Sequence, residues 1–302
     1  MNEEAPRIES VVALVDSIDR ARQRFGELGF TVSDASVALG SMTRQCAVAF
    51  ADGTSVHFLE RPRGLLARVR RRRTFSTRFR RKTEACGKYA LRFRSLLSLE
   101  RPSPGLVDTI LRASIPPESS DSSGDDENRY EAGWITTDVT YRIGGEPGKT
   151  TMVVANRQPR ELPLIRVSEA PLPFDEAATE HRNGIQGIFH VQVGVEDLDA
   201  ALPVYKRLMR AEPYDHVDPV QRRAIFDLAN GELELMPVET SLEAGVREIS
   251  LRPGFPGHRV SYDAERTEGI TMRVTDMSAK TALQPDEEEE LEKTTISRSR
   301  RQ

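Results

Sequence analysis

Cysteine, aromatic residues and long apolar runs are all scarce in this chain of 302 residues. The two cysteines, Cys46 and Cys86, stand far apart with no CxxC spacing, which excludes a disulfide framework and a zinc ribbon. Redox chemistry is not expected. No apolar stretch approaches the roughly 18 residues of a membrane-spanning helix. The opening MNEEAPRIES is acidic where a secretory signal would be basic and then apolar, so a cytoplasmic location is expected. GxSxG, HExxH, a P-loop and GxGxxG are also absent, which leaves serine hydrolysis, zincin proteolysis and dinucleotide cradling without support. No sign of charge dominates: 43 Lys and Arg against 47 Asp and Glu leave −4, neither a nucleic-acid binder nor a polyanion mimic as a whole. A 38% hydrophobic and 30% charged composition fits a folded core carrying polar inserts and a tail.

What is present is a repeat. Val11 to Leu28, VVALVDSIDRARQRFGEL, lies over Val191 to Leu208, VQVGVEDLDAALPVYKRL, 180 positions later. Val11/Val191, Val15/Val195, Ile18/Leu198, Asp19/Asp199, Ala21/Ala201 and Phe25/Tyr205 agree in type. Alternating β-branched residues predict a half-buried strand, and Ile18, Ala21, Phe25 and Leu28 then recur at helical spacing. Asp16-Ser17 and Glu196-Asp197 stand where a helix needs side-chain oxygens for its first N–H groups. After each helix come short strand-like runs: Phe30 to Val32, Gln45 to Phe50 and Ser55 to Leu59 in the first copy, Arg223 to Leu228 and Glu232 to Met236 in the second. Asp52-Gly53 and Asn230-Gly231 are hairpin turns between them. The unit reads βαβββ.

The expected organisation is a first βαβββ module over 1–60, a basic and partly helical insert over 61–104, and a diverged module over 105–160. That diverged module has strand candidates at Gly105 to Ala113, Trp134 to Ile143 and Thr150 to Ala155, with residues 116–133 as a disordered polar loop. A linker over 161–184 leads to a second clear module over 185–245, then a partial module over 246–280 and a charged disordered tail over 281–302. Ile270 to Ala279 reads as a weak third opening, Val274-Thr275-Asp276-Met277 echoing Val195-Glu196-Asp197-Leu198.

These stretches, together with His181-Arg182-Asn183-Gly184 before Gly187-Ile188, resemble the glyoxalase-like group of the vicinal oxygen chelate superfamily. The resemblance covers 7–60 and 160–237, and 105–155 by position only. It implies an α+β fold of tandem βαβββ modules forming curved mixed sheets, a cup in which first and last strands hold a divalent metal. In the second unit those places hold His190 and Glu234. In the first they hold Ser10, where the family usually has His, and His57, where it usually has Glu.

Each residue also has a plainer reading. His190 can be a hydrogen-bonded core histidine, and Glu234 can belong to a solvated strand face shared with Glu232. His57 is either a third ligand, which would favour Zn, Fe, Ni or Co over Mg or Mn, or a polar residue in a cup that has lost its metal. Gln45 either orients a substrate carbonyl or caps the strand entry, and Ser10 offers at most a hydroxyl. His181, His216 and His258 read as surface histidines. Residues 61–82 carry eleven Arg or Lys and no acid, which suits weak polyanion contact or a solvated insert balanced by the acidic tail.

The expected function is therefore that of a glyoxalase-like protein binding a small oxygen-rich metabolite in a β-cup. Zn, Fe, Ni, Co or Mn at His190, Glu234 and His57 would polarise a carbonyl in lyase, isomerase or dioxygenase chemistry, with Glu234 handling the proton and Ser10 and Gln45 on the substrate. The alternative is a non-catalytic module that sequesters a small molecule without metal.

Overall fold

The structure, a computed structural model, describes residues 5–37, 44–61, 105–114, 134–143, 146–155, 162–170, 172, 174–214, 222–240, 243–257 and 259–275. The fold is α+β, with two mixed sheets and few helices. The first sheet draws on β1 (Arg7–Val15), β2 (Ser36–Val37), β3 (Arg44–Ala49), β4 (Ser55–Glu60), β5 (Gly105–Ala113), β6 (Trp134–Ile143), β7 (Glu146–Ala155) and β8 (Leu164–Val167). Their order is β2-β3-β4-β1-β5-β8-β7-β6. The second sheet is β10-β11-β9-β12-β14-β13, from β9 (Ile185–Val195), β10 (Ala224–Leu228), β11 (Gly231–Pro237), β12 (Gly245–Pro253), β13 (Val260–Tyr262) and β14 (Met272–Val274). In both sheets the middle is alike. β1 runs parallel to β4 and antiparallel to β5, and β9 runs parallel to β11 and antiparallel to β12.

Helix α1 (Ile18–Glu27) follows β1, α2 (Glu176–Thr179) precedes β9, and α3 (Leu198–Met209) follows β9. The hydroxyl of Ser17 accepts from Arg20 N and the carboxylate of Asp197 from Ala200 N, so both long helices start on the oxygens expected of them. Their apolar stripes, Ile18, Ala21 and Phe25 on α1 and Val204, Tyr205 and Leu208 on α3, are buried. One continuous core joins these to the helix-side faces of both sheets, Val11, Ala13, Val48 and Phe58 in the first and Val191, Val193, Leu233 and Leu235 in the second. The polar faces of the two sheets therefore look away from the shared core.

The halves exchange contacts reciprocally. The β3–β4 turn meets the start of β9: Asp52 N donates to Gln186 O, and Thr54 Oγ1 accepts from Ile188 N at 2.9 Å. The β10–β11 turn meets the start of β1: Ala229 N donates to Pro6 O, and Asn230 bonds both Ile8 N and Ile8 O at 2.8 Å. Arg20 adds a paired contact from α1 to Glu268, whose side chain is 1% exposed.

Three expectations change. Phe30 to Val32 is not a strand, because Phe30 N closes the end of α1 on Phe25 O and Thr31 N donates to His181 Nδ1, which takes both donors from any ladder. His181 is consequently half-buried, its ring edge-on to Phe30 and Phe50, and not a surface histidine. Met272–Val274 does not open a unit: as β14 it runs parallel to β12 and pairs with β13, so β12 is the opening strand of that group. Residues 62–104, the loop 116–133, the tail 281–302, His216 and His258 lie outside the described residues.

Candidate binding site

Strand periodicity alone would turn His190 to the same side as Ile188. A register shift between Ser250 and Leu251 on β12 leaves Phe189 as an extra residue in β9, so that Ile188 faces the core together with Val191, while His190 turns to the other face. The same shift occurs in β1 between Ile8 and Ser10, with Glu9 the extra residue. Such bulges re-aim side chains where a regular strand would bury them.

On the polar face of the second sheet His190 Nε2 lies 3.0 Å from Glu234 Oε2, and both residues are buried. Register explains the contact, since His190 is level with Glu232 and Gln192 with Glu234, so the imidazole reaches diagonally between parallel neighbours. Gln192 Nε2 donates to Glu234 Oε2 at 3.4 Å and Arg223 Nη1 to Oε1 at 3.1 Å. Burial pushes the Glu234 carboxyl up, but the hydrogen bonds from His190, Arg223 and Gln192 outweigh it and hold it at about 2. The other imidazole nitrogen, Nδ1, is 3.5 Å from Ser250 Oγ, which accepts from Arg273 Nε at 3.2 Å; Arg273 also pairs with Glu248 at 2.6 Å. Ser250, His190 and Glu234 stand in the order of a nucleophile, base and carboxylate relay, yet Ser250 is buried and already receives the guanidinium's hydrogen.

The first sheet holds the other candidates. Ser10 and Ser55 share a hydrogen bond at 3.0 Å, and Ser55 Oγ lies 3.1 Å from His57 Nε2. Burial pushes His57 down to about 4. Gln45 Nε2 donates to Ser36 Oγ at 3.3 Å across the β2–β3 pairing, at the strand entry. The structure thus brings His190 and Glu234 together and leaves His57, Ser10 and Gln45 on a different sheet. Arg223, Gln192, Ser250 and Arg273 complete the second-sheet cluster. Their sequence signal was weak, since Ser250 and Arg273 belong to strands with no detectable copy elsewhere in the chain.

The donor set does not fit the divalent metal that the resemblance implies. Both oxygens of Glu234 already accept hydrogens, and the facing strands β12 and β14 contribute a hydroxyl and a guanidinium instead of further ligands. Among the described residues no three His, Cys, Asp or Glu come together to hold an ion, whereas Zn, Fe, Ni, Co and Mn centres in proteins rest on three or more such groups.

Comparison with protein-family models finds no match, and comparison with curated proteins finds none either. Among solved structures, a hypothetical protein from Staphylococcus aureus is similar over 90% of this chain and 99% of its own, with a TM-score of 0.61 and 9% identity. A xylose isomerase-like TIM barrel/4-hydroxyphenylpyruvate dioxygenase fusion protein is similar over 82% of this chain and 36% of its own, at 0.46 and 15%. Methylmalonyl-CoA epimerase from Mycobacterium tuberculosis is similar over 32% of this chain and 90% of its own, at 0.26 and 12%. The last two overlays are too loose to carry an argument. The first shows that this whole two-sheet fold is shared, and at such identity a shared fold does not specify chemistry.

Proposed function

We propose that this chain is a glyoxalase-like protein of the vicinal oxygen chelate kind that binds a small, oxygen-rich anionic metabolite on the polar face of its second sheet, without a resident metal. The observation that carries this reading is the convergence of His190 and Glu234 with Arg223 and Arg273 on one sheet face. Strand order supports the modular part of it: β1, β5, β9 and β12 each pair in parallel with the last strand of their group, β4, β8, β11 and β14. The boundaries at 1–60, 105–160, 185–245 and 246–280 belong to the same reading.

The residues divide the work by charge. Arg273, half-exposed, and Arg223, whose Nε has no partner among the described residues, present guanidinium donors suited to carboxylate oxygens. Glu234, held at about 2, stays ionised at neutral pH and is a positioning residue for the imidazole instead of the proton carrier that the resemblance suggested. The test is titration calorimetry of untagged protein with a panel of small 2-oxo and 2-hydroxy acids, alongside metal analysis. Binding that falls roughly tenfold or more in Arg273→Gln, with far less than one metal per chain, is the expected result. A panel in which nothing binds sinks the reading, as does stoichiometric metal that is lost in His190→Ala.

A further inference from the structure

The register of the first sheet sets three arginines in one row. Arg7 on β1 is level with Arg112 on β5, and Arg112 is level with Arg166 on β8. Residues level across a sheet share a face, and like charges placed so oppose folding. One carboxylate answers this row from within the sheet: Glu9, the extra residue of the β1 bulge, takes a two-pronged bond from Arg166, and both are buried. Arg166 also donates to Ala170 O, so its guanidinium is committed.

Arg112 has no such partner. Its Nη1 is buried and unbonded among the described residues. Burial pushes its pKa down, Glu9 opposes this, and the charges of Arg166 and Arg7 add to the push. Beside it opens a cleft of about 260 Å³ lined by Ala5, Arg7, Arg112, Ser114, Ser168 and Glu169. The second half of the molecule treats the matching place differently. There Gly187 is level with Arg252, and Arg252 finds Asp52 at 3.9 Å and Asn230 O at 2.9 Å. The first half keeps the cations and lacks the acceptors.

We propose that Arg7 and Arg112 form an oxyanion site in this cleft, which takes the carboxylate or phosphate group of a small solute. A planar guanidinium with a free, desolvated N–H edge beside a second one is suited to two-pronged recognition of such a group. The exposed Glu169 on the same cleft counts against polyanions. The proposal is independent of the reading of the second sheet, because the residues it uses lie on the other one.

Calorimetry and thermal unfolding of the full chain with sodium phosphate and with sodium acetate, each against sodium chloride at matched ionic strength, test it. Phosphate or acetate should bind and raise the melting temperature where chloride does not. A response to phosphate alone assigns a phosphoryl group, and a response to acetate as well assigns a carboxylate. Arg112→Gln should weaken binding roughly tenfold or more, and without added anion it should melt no lower than the parent, because it removes a buried unpaired cation. Arg7→Gln, at an exposed position, should weaken binding too and serves if the first variant fails to fold. A parent protein indifferent to the choice of anion, or variants that respond as the parent does, would overturn the site.

Discussion

His57 carries the clearest consequence of burial at the scale of one residue. Its imidazole is hydrogen-bonded to Ser55 and lies near Phe174, and burial alone pushes it from 6.5 to about 4. Between those values the unfolded chain binds a proton that the folded protein refuses, so stability is complete above about 6.5 and falls as pH drops toward 4. The loss is on the order of a few kcal/mol. Glu234 works in a separate window: its depressed carboxyl contributes stability that is present above about 4.5 and is lost as pH falls toward 2. His57→Gln, which can keep the bond to Ser55, is expected to flatten the urea-unfolding free energy between pH 6.5 and 4.5 and to leave the steeper acid limb below it. An unchanged slope in that upper window would show that His57 titrates freely.

At the scale of elements the β10–β11 hairpin sets the geometry of the second-sheet cluster. Gly231 follows Asn230 in the turn and begins β11, which also supplies Glu232 and Glu234. A Cβ on Gly231 would stand 2.1 Å from the Phe189 carbonyl oxygen and 2.7 Å from its carbon, backbone atoms that cannot rotate aside. Glycine is needed here for close approach between strands, in addition to its place in the turn. Gly231→Ala is expected to cost about 2–4 kcal/mol in chemical denaturation. It should also weaken ligand binding at His190, because β9 and β11 must separate. A fully stable variant would mean that the bulge at Phe189 gives way at little cost.

At the scale of the whole molecule, the two halves are tied by the reciprocal contacts of their hairpin turns as well as by the common core. Asn230 satisfies both backbone groups of Ile8 from 222 residues away, and Thr54 performs half of that service for Ile188. Asn230→Ala removes two hydrogen bonds and leaves an edge of β1 unpaired, at an expected cost of about 1–3 kcal/mol. Fluorescence and far-UV dichroism should then stop coinciding along a denaturation curve, because the halves can open separately. Coincident curves with no loss of stability would place the coupling in the apolar core alone.

Much of this was written locally. Alternation and helical spacing over Val11–Leu28 and Val191–Leu208 determined strand and helix, Ser17 and Asp197 determined where the helices start, and Asp-Gly and Asn-Gly determined the hairpins, because each of these depends on a few adjacent residues. The resemblance of order picked out His190 and Glu234, although period-2 counting from Ile188 would have turned His190 into the core. Only the tertiary structure decided the rest. The bulges at Glu9 and Phe189 exist because β5 and β12 pair out of step with β1 and β9, a fact of partner strands and not of the strand's own residues. Likewise, Arg223, Ser250 and Arg273 around the His/Glu pair, and the arginine row across β1, β5 and β8, arise from register between distant segments, for which the local sequence has no signal.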